Sequence, residues 1–264
     1  MTRLNIEKIQ KFKNKRPIVC LTAYTTGMAE AIDDHVDIIL VGDSVANVLY
    51  GMNNTQKISL DIIKEHGKAV CKSSKHAFTI IDMPYKTFEN KKNALKNAIK
   101  LIKYTKCQSI KIETQKKDLK IISHLVKNGL TVVGHIGVTP QSYSDFSKIK
   151  VLGRNLNEKK NLLKLAIDVE KAGASLLVLE CITAQLSEEI TNTINIPTIG
   201  IGSSNKCDGQ VLVINDLLGI NKSNKKIKFV KNYANLYKNI SNAVKSYKIE
   251  VRSKKFPNKK YQYE

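Results

Sequence analysis

Four carboxyl groups and an imidazole stand at or near the ends of apolar runs. Asp43 follows "IILVG", Asp82 follows "FTII", Glu113 ends "IKIE", His135 sits in "VVGHIG" and Glu180 follows "SLLVL". Grouped carboxylates repel one another, which favours either raised pKa values or a bound cation. Oxygen ligands of this kind suit Mg²⁺ better than zinc. In "IKIE" the two-residue period puts Lys111 on the same face as Glu113, and Ile110 and Ile112 on the other. Lys111 and Glu113 then point toward the site, either as chemistry or as a structural ion pair. Ser44 adds a hydroxyl directly after Asp43. His135 reads equally as a site residue or as a core histidine. The stretch "GIGSSNKCDGQ" reads as a phosphate cradle or as plain turn chemistry.

These residues need a scaffold that delivers all the strand ends to one place. Strand-like runs at 17–23, 36–42, 77–82, 109–113, 130–137, 175–180, 196–202 and 209–214 alternate with helical stretches, among them 59–75, 90–105 and 157–173. The links are crossovers, not hairpin turns, so the strands are expected to be parallel. Eight such units favour a closed (β/α)8 TIM barrel, a fold of about 250 residues whose active sites form at the C-terminal strand ends. "IEKIQKFK" predicts an extra N-terminal helix, and 233–248 a closing helix. The expected division is a single barrel domain over 1–248 and a basic, mobile tail over 249–264.

Composition narrows the function classes. The chain has 264 residues, 42% of them hydrophobic, enough for one large core. No run approaches the roughly 18 apolar residues of a membrane span, and the first residues lack a signal-peptide core. A cytoplasmic protein without a membrane partner is therefore expected. Five scattered cysteines without a CxxC pair suggest neither a disulfide framework nor a structural zinc site. The formal net charge of +21 raises nucleic-acid binding. Arginine contributes only four of the cations, and no interleaved aromatic pattern accompanies the clusters at 222–227 and 253–260. A solvated basic surface is the better reading, with no specific nucleic acid as partner.

Taken in order, "LTAY" (21–24), "ILVGDS" (39–44), "DMPY" (82–85), "IKIE" (110–113), "VVGHIGVTPQS" (132–142), "LECI" (179–182) and "IPTIGIG…CDGQVLV…DLLG" (196–219) resemble the ketopantoate hydroxymethyltransferase family. The resemblance implies a (β/α)8 barrel, Mg²⁺ dependence, 5,10-methylenetetrahydrofolate as co-substrate and a homo-oligomer, often a decamer. It implies that the chain acts as a 3-methyl-2-oxobutanoate hydroxymethyltransferase, yielding 2-dehydropantoate for pantothenate synthesis. Carried over residue by residue, Asp43 and Asp82 are Mg²⁺ ligands, with Glu113 a third or water-mediated one. Asp43, Ser44, Asp82, Lys111 and His135 contact the 2-oxo acid, and Glu180 is the catalytic base. The chain departs from the family pattern at Thr25, at Thr114 and Gln115, and at Ser203 and Ser204, positions that bear on the pocket edges and the folate. Two other readings stay open. One is a phosphoenolpyruvate mutase or isocitrate lyase relative acting on another Mg²⁺-bound 2-oxo acid, although the KKCGH-type loop of isocitrate lyases is missing. The other is a nucleic-acid-binding protein on a barrel scaffold.

Overall fold

The structure, a computed structural model, describes residues 3–146, 149–221 and 227–263. The basic cluster at 222–227 therefore falls, except for Ile227, outside the described residues. The chain divides into two units, 1–213 and 214–264.

The first unit is the barrel. Strands β1 (Ile18–Thr22), β2 (Ile38–Val41), β3 (Phe78–Asp82), β4 (Ser109–Glu113), β5 (Val132–Gly137), β6 (Leu176–Glu180), β7 (Thr198–Ile201) and β8 (Gly209–Leu212) follow one another around a closed, all-parallel ring. β1 closes it on β8, with Ile18 opposite Gly209. Helices α1 (Ile6–Gln10), α2 (Thr26–Ile32), α3 (Val45–Val48), α4 (Leu60–Ser73), α5 (Lys91–Thr105), α6 (Leu119–Lys127), α7 (Leu156–Lys171) and α8 (Ala184–Thr193) precede or link the strands. β7 reaches β8 through residues 202–208 without a helix. Polar side chains set the helix starts: Thr25, Ser59, Asn90 and Asn155 each accept a backbone N–H of the first turn. Each such cap is worth about 1 kcal/mol. Thr25, one of the departures from the family pattern, thus has a local structural task.

Alternate residues fill the barrel interior. Cys20, Ile38, Leu40, Phe78, Ile80, Val133, Leu176, Val178, Ile199 and Val211 form one buried apolar cluster, continued at the N-terminal end by Leu4 and Ile9 of the extra helix segment. Burying aliphatic side chains of this size stabilises by roughly 1.5–3 kcal/mol each. Two steps further along the strands the same inward face presents Asp82, His135 and Glu180. β4 alone gives nothing to the apolar cluster, because its inward residues are Ser109, Lys111 and Glu113. The "GHIG" glycines keep β5 in place. A Cβ on Gly134 would collide with Val169 of α7, so this face of β5 lies against the helix and His135 turns inward. Gly137 has φ +97°, and a Cβ there would run into the carbonyl oxygen of Glu180.

The N-terminal end is held by polar clasps. Lys13 Nζ contacts Asp208 Oδ2 at 2.7 Å, and Asp208 also accepts the Thr198 N–H at 2.8 Å. Asp33 is buried and accepts from Ser74 Oγ (2.6 Å) and from the N–H groups of Lys75 (2.6 Å), His76 (2.8 Å) and Ala77 (3.0 Å). That fixes the turn leading into β3.

The second unit holds α9 (Ile214–Leu218) and α10 (Leu236–Arg252), joined by Tyr233 N–H to Leu217 O and Tyr237 N–H to Gly219 O. The helix expected over 233–248 runs on to Arg252, four residues into the stretch read from sequence as the tail. Among the described residues no helix is long and apolar enough to cross a membrane.

Candidate active site

At the C-terminal ends of β2 to β6 the inward polar side chains meet. Asp82 is 2% exposed and Lys111 6%, so their contact lies in the barrel top, away from the outer surface. Lys111 Nζ is 3.0 Å from Asp82 Oδ1, an ion-pair distance at an angle that leaves this oxygen without a hydrogen bond. The other oxygen, Oδ2, accepts the backbone N–H of Asp43 at 2.9 Å. Asp43 follows Gly42 just past β2, and this bond fixes its position beside Asp82. Ser44 lies next to it, with its Oγ 2.7 Å from the buried Tyr24 hydroxyl.

The register sets the other half. Glu113 of β4 stands opposite His135 of β5. His135 Nδ1 is 3.4 Å from Lys111 Nζ, and its Nε2 is 3.2 Å from Glu180 Oε2. An ammonium only donates, so Nδ1 must accept and the ring proton belongs on Nε2, facing Glu180. The Nε2–Glu180 contact is close but too poorly aligned for a hydrogen bond. Burial, and then the Lys111 charge, hold His135 well below its ordinary pKa, so it is a neutral imidazole and its carboxylate neighbours are not ion-pair partners.

Four carboxyl groups surround one ammonium, and burial is the largest influence on Asp43, Glu113 and Glu180. It pushes Asp43 up to about 7, with the Asp82 charge adding to it. Glu180 also rises to about 7 through burial, partly offset by Lys111. Glu113 lies well above the usual carboxylate range for the same first reason, with Asp43 next. Burial pulls Lys111 down, but Asp82, Asp43 and Glu113 outweigh it, and the ammonium is held charged. A site with this excess of acid suits a cation. Among the described residues no three His, Cys, Asp or Glu side chains converge as a ready-made ligand set. Mg²⁺ needs only one or two carboxylates, with water and substrate oxygens completing its shell. Asp43 and Asp82 supply that, and the orphaned Asp82 Oδ1 is an oxygen donor with spare capacity. The chemistry of these oxygen donors is compatible with Mg²⁺.

Sequence reasoning gave no role to Gln141, which the structure puts at the centre. Its Nε2 donates to Asp43 Oδ2 at 2.9 Å and to Met83 O at 3.1 Å, and its backbone N–H donates to Glu113 Oε2 at 2.9 Å. Its Oε1 is buried without a partner. Gln141 lies in a short 3-10 turn, Pro140–Ser142, after β5, outside any alternating pattern. The one signal for it was its place in the quoted "VTPQS". Cys181 follows Glu180 in the left-handed region (φ +50°), and burial followed by the Glu180 charge pushes its thiol up to about 12. It stays a thiol at neutral pH, and all five cysteines are free and buried. The "GIGSSNKCDGQ" stretch uses its hydroxyls locally: Ser203 Oγ donates to Leu179 O and Ser204 Oγ accepts the Lys206 N–H. It is turn chemistry.

A profile of the family described as ketopantoate hydroxymethyltransferase matches residues 3–259. A 3-methyl-2-oxobutanoate hydroxymethyltransferase of Pelagibacter ubique is 47% identical over 253 residues, 96% of each chain. The chain belongs to the ketopantoate hydroxymethyltransferase family. A second member, from Helicobacter pylori (strain Shi470), is 42% identical over 99% of this chain and 96% of its own. Among solved structures, a phosphonopyruvate hydrolase in complex with oxalate and Mg²⁺ aligns with TM-score 0.63 at 11% identity, covering 96% of this chain and 88% of its own. A 2,3-dimethylmalate lyase of the PEP mutase/isocitrate lyase superfamily aligns with TM-score 0.59 at 10% identity, covering 98% of this chain and 91% of its own. At such identities these two share the barrel fold with this ketopantoate hydroxymethyltransferase family member.

Proposed function

We propose that the chain transfers a hydroxymethyl group from 5,10-methylenetetrahydrofolate to 3-methyl-2-oxobutanoate, giving 2-dehydropantoate, with Mg²⁺ in the site. The observation that carries this reading is Glu180. It is a largely enclosed carboxyl, its side chain 18% exposed, lifted to about 7 at the same strand-end level as the Lys111, Asp82 and Asp43 group. A base with a pKa near the working pH is well matched to removing a weakly acidic proton.

Asp43 and Asp82 would hold Mg²⁺, with Glu113 reaching it through water, and Gln141 keeps Asp43 and Glu113 at their separation. When bound, the ion supplies charge at the keto oxygen and so acidifies the neighbouring C–H. Lys111 offers its ammonium to the substrate carboxylate, and Ser44, steadied by Tyr24, offers a hydroxyl beside it. Glu180 takes the proton from C3. The neutral His135, its Nε2 3.2 Å from Glu180, does not compete with the base for the proton. C3 then bonds to the methylene carbon of the folate as one of its two carbon–nitrogen bonds breaks and that nitrogen takes up a proton. Water supplies the hydroxyl as the last carbon–nitrogen bond breaks, and the folate nitrogen takes up a proton.

The test is exchange of the C3 proton with deuterated water, followed by NMR with oxo acid and Mg²⁺ and no folate. Glu180→Gln should bind the oxo acid and lose about 10²–10⁴-fold in exchange rate. Exchange at the parent rate would remove Glu180 as base and make His135 the next candidate.

We further propose that the chain assembles as a homo-oligomer. Tyr237, Ile240, Val244, Tyr247 and Val251 recur at helical spacing along α10, and each is at least 42% exposed. Light scattering on Val244→Glu should report a smaller particle than the parent, and an unchanged mass would count against this face.

A further inference from the structure

Gln141 is held from both ends of one connection. The chain between β2 and α4 begins near Asp43, whose Oδ2 accepts the Gln141 side-chain amide at 2.9 Å. Near its far end, Gln56 Nε2 donates to the Gln141 carbonyl oxygen at 2.8 Å. The connection therefore wraps around one residue of another loop, taking its side chain at the start and its backbone at the finish. Gln56 sits in a short 3-10 turn, Thr55–Lys57, capped by Asn54, whose Oδ1 accepts the Gln56 N–H at 3.1 Å. Asn54 Nδ2 donates in turn to Ser144 O at 3.0 Å. Two side-chain amides of one loop thus end on two carbonyl oxygens of the other, and neither bond belongs to a helix or a strand ladder.

The Gln141 amide depends on this grip. Its Nε2 directs its hydrogens to Asp43 Oδ2 and Met83 O, while its buried Oε1 has no partner. No contact on the oxygen side helps to orient the group. Its direction is set by two acceptors and by where the backbone of the Pro140–Ser142 turn lies. The Gln141 N–H depends on that turn too, donating to Glu113 Oε2 at 2.9 Å. Gln115 and Thr139 steady the Ser142 hydroxyl next door, whereas the side chain on the Gln141 carbonyl is Gln56. An amide also suits the place chemically. It orients carboxylates through N–H donors without carrying charge, where a lysine would cancel part of the negative charge that attracts a cation.

We propose that Gln56 is a positioning residue of the site: by holding the Gln141 carbonyl it fixes the angle at which Gln141 meets Asp43 and Glu113, and so sets how tightly these carboxylates hold a divalent cation. The inference rests on the preceding reading that Asp43 and Glu113 serve Mg²⁺. Such a constellation works only within about 0.5 Å of its productive geometry, so the residues that lock it matter as much as its members. Removing a hydrogen-bond partner of a metal ligand typically costs about 10–100-fold in affinity. Gln56 acts one residue further out, through Gln141, and a smaller loss of about fivefold is expected, the worth of one net hydrogen bond.

Gln56→Met keeps the length of the side chain and removes its donor. Calorimetric titration with Mg²⁺, with 3-methyl-2-oxobutanoate present, should show affinity weakened about fivefold. In donor-free C3 exchange, the assay without folate, the half-saturating Mg²⁺ concentration should rise by the same factor, and excess Mg²⁺ should restore the rate. Unchanged Mg²⁺ affinity would overturn the assignment, as would a loss of exchange that excess Mg²⁺ does not restore. Gln56→Glu sets an acceptor against the Gln141 carbonyl while adding a negative charge, which by itself attracts cations. It should nevertheless bind Mg²⁺ more weakly than the parent, and equal or tighter binding would make the role electrostatic and sink the proposal. Combined with Gln141→Met, Gln56→Met should cost less than the product of the two single losses, and strictly multiplicative losses would break the proposed relay. Loss of affinity that merely scales with a lowered metal-free urea midpoint across the two Gln56 variants would make the role structural, and so overturn it. The two readings fail separately. A parent chain that binds no Mg²⁺ beside the oxo acid refutes the cation site and the Gln56 role with it, whereas a parent that binds it and variants that match the parent refute the Gln56 role alone.

Discussion

Asp43 and Glu180 are both lifted to about 7 by burial, but they are set different tasks by their neighbours. Glu180 faces an imidazole that stays neutral, so it must be ionised to accept a proton. Donor-free C3 exchange should therefore fall about tenfold per pH unit below roughly 7 and level off above it. A rate independent of pH between 5 and 8, followed by NMR, would contradict this role. Asp43 is tied to Asp82 through its own N–H and to Gln141 through its carboxylate. Asp43→Asn should keep the fold and weaken Mg²⁺ and oxo-acid binding together, and calorimetry with both present reads that directly. The sequence put Asp82, Glu113, His135 and Glu180 at or near strand ends and, by alternation in "IKIE", Lys111 on one face with Glu113, and the structure brings these side chains together at one end of the barrel. Gln141 was not legible in that way, since a loop residue has no period to betray where it points.

At the level of elements, Asp33 is the clearest case of a polar residue that builds structure. Burial opposes its charge, yet the Ser74 hydroxyl and three backbone N–H groups outweigh that and hold its carboxyl below the usual range. A lowered folded pKa means the contribution is present above the unfolded pKa and lost as pH falls through the folded one, below about 4. Asp33→Ala should cost about 3 kcal/mol in urea denaturation at neutral pH, a difference that shrinks as pH falls below about 4. Gly137→Ala couples an element to the chemistry, because a side chain there displaces the Glu180 carbonyl. It should reduce C3 exchange as well as stability. The eight strands were legible within about three residues at each end, with "SIKIE" matched outright. The ends drift because a strand stops where its neighbour's ladder stops, as with Leu130 and Thr131 before β5, and a single run of residues carries no record of its neighbours.

For the whole molecule, the excess of lysine over acid gives a net charge of +21 without a patterned reading surface. Binding to nucleic acid should be weak, and lost between about 50 and 200 mM salt. Sequence-selective binding at physiological salt would instead restore the nucleic-acid reading. The ring itself was legible from eight alternating units. The helix-free link from β7 to β8 agrees with the short glycine–serine stretch between the last two strand-like runs.

The ring is closed by strands from opposite ends of the barrel sequence: Ile18 of β1 pairs with Gly209 of β8, and Lys13 reaches Asp208 beside that seam. This sets an order of events during synthesis. Every strand from β2 to β7 finds a partner already made, while β1 must wait for the last strand before its second edge is covered. Until then the nascent chain carries two open edges, one on β1 and one on the newest strand, each a template for pairing with another chain. Closing so long a loop is entropically slow compared with local pairing. A chain that stops at Cys207 should not be a slightly weaker enzyme. It should be found in the pellet.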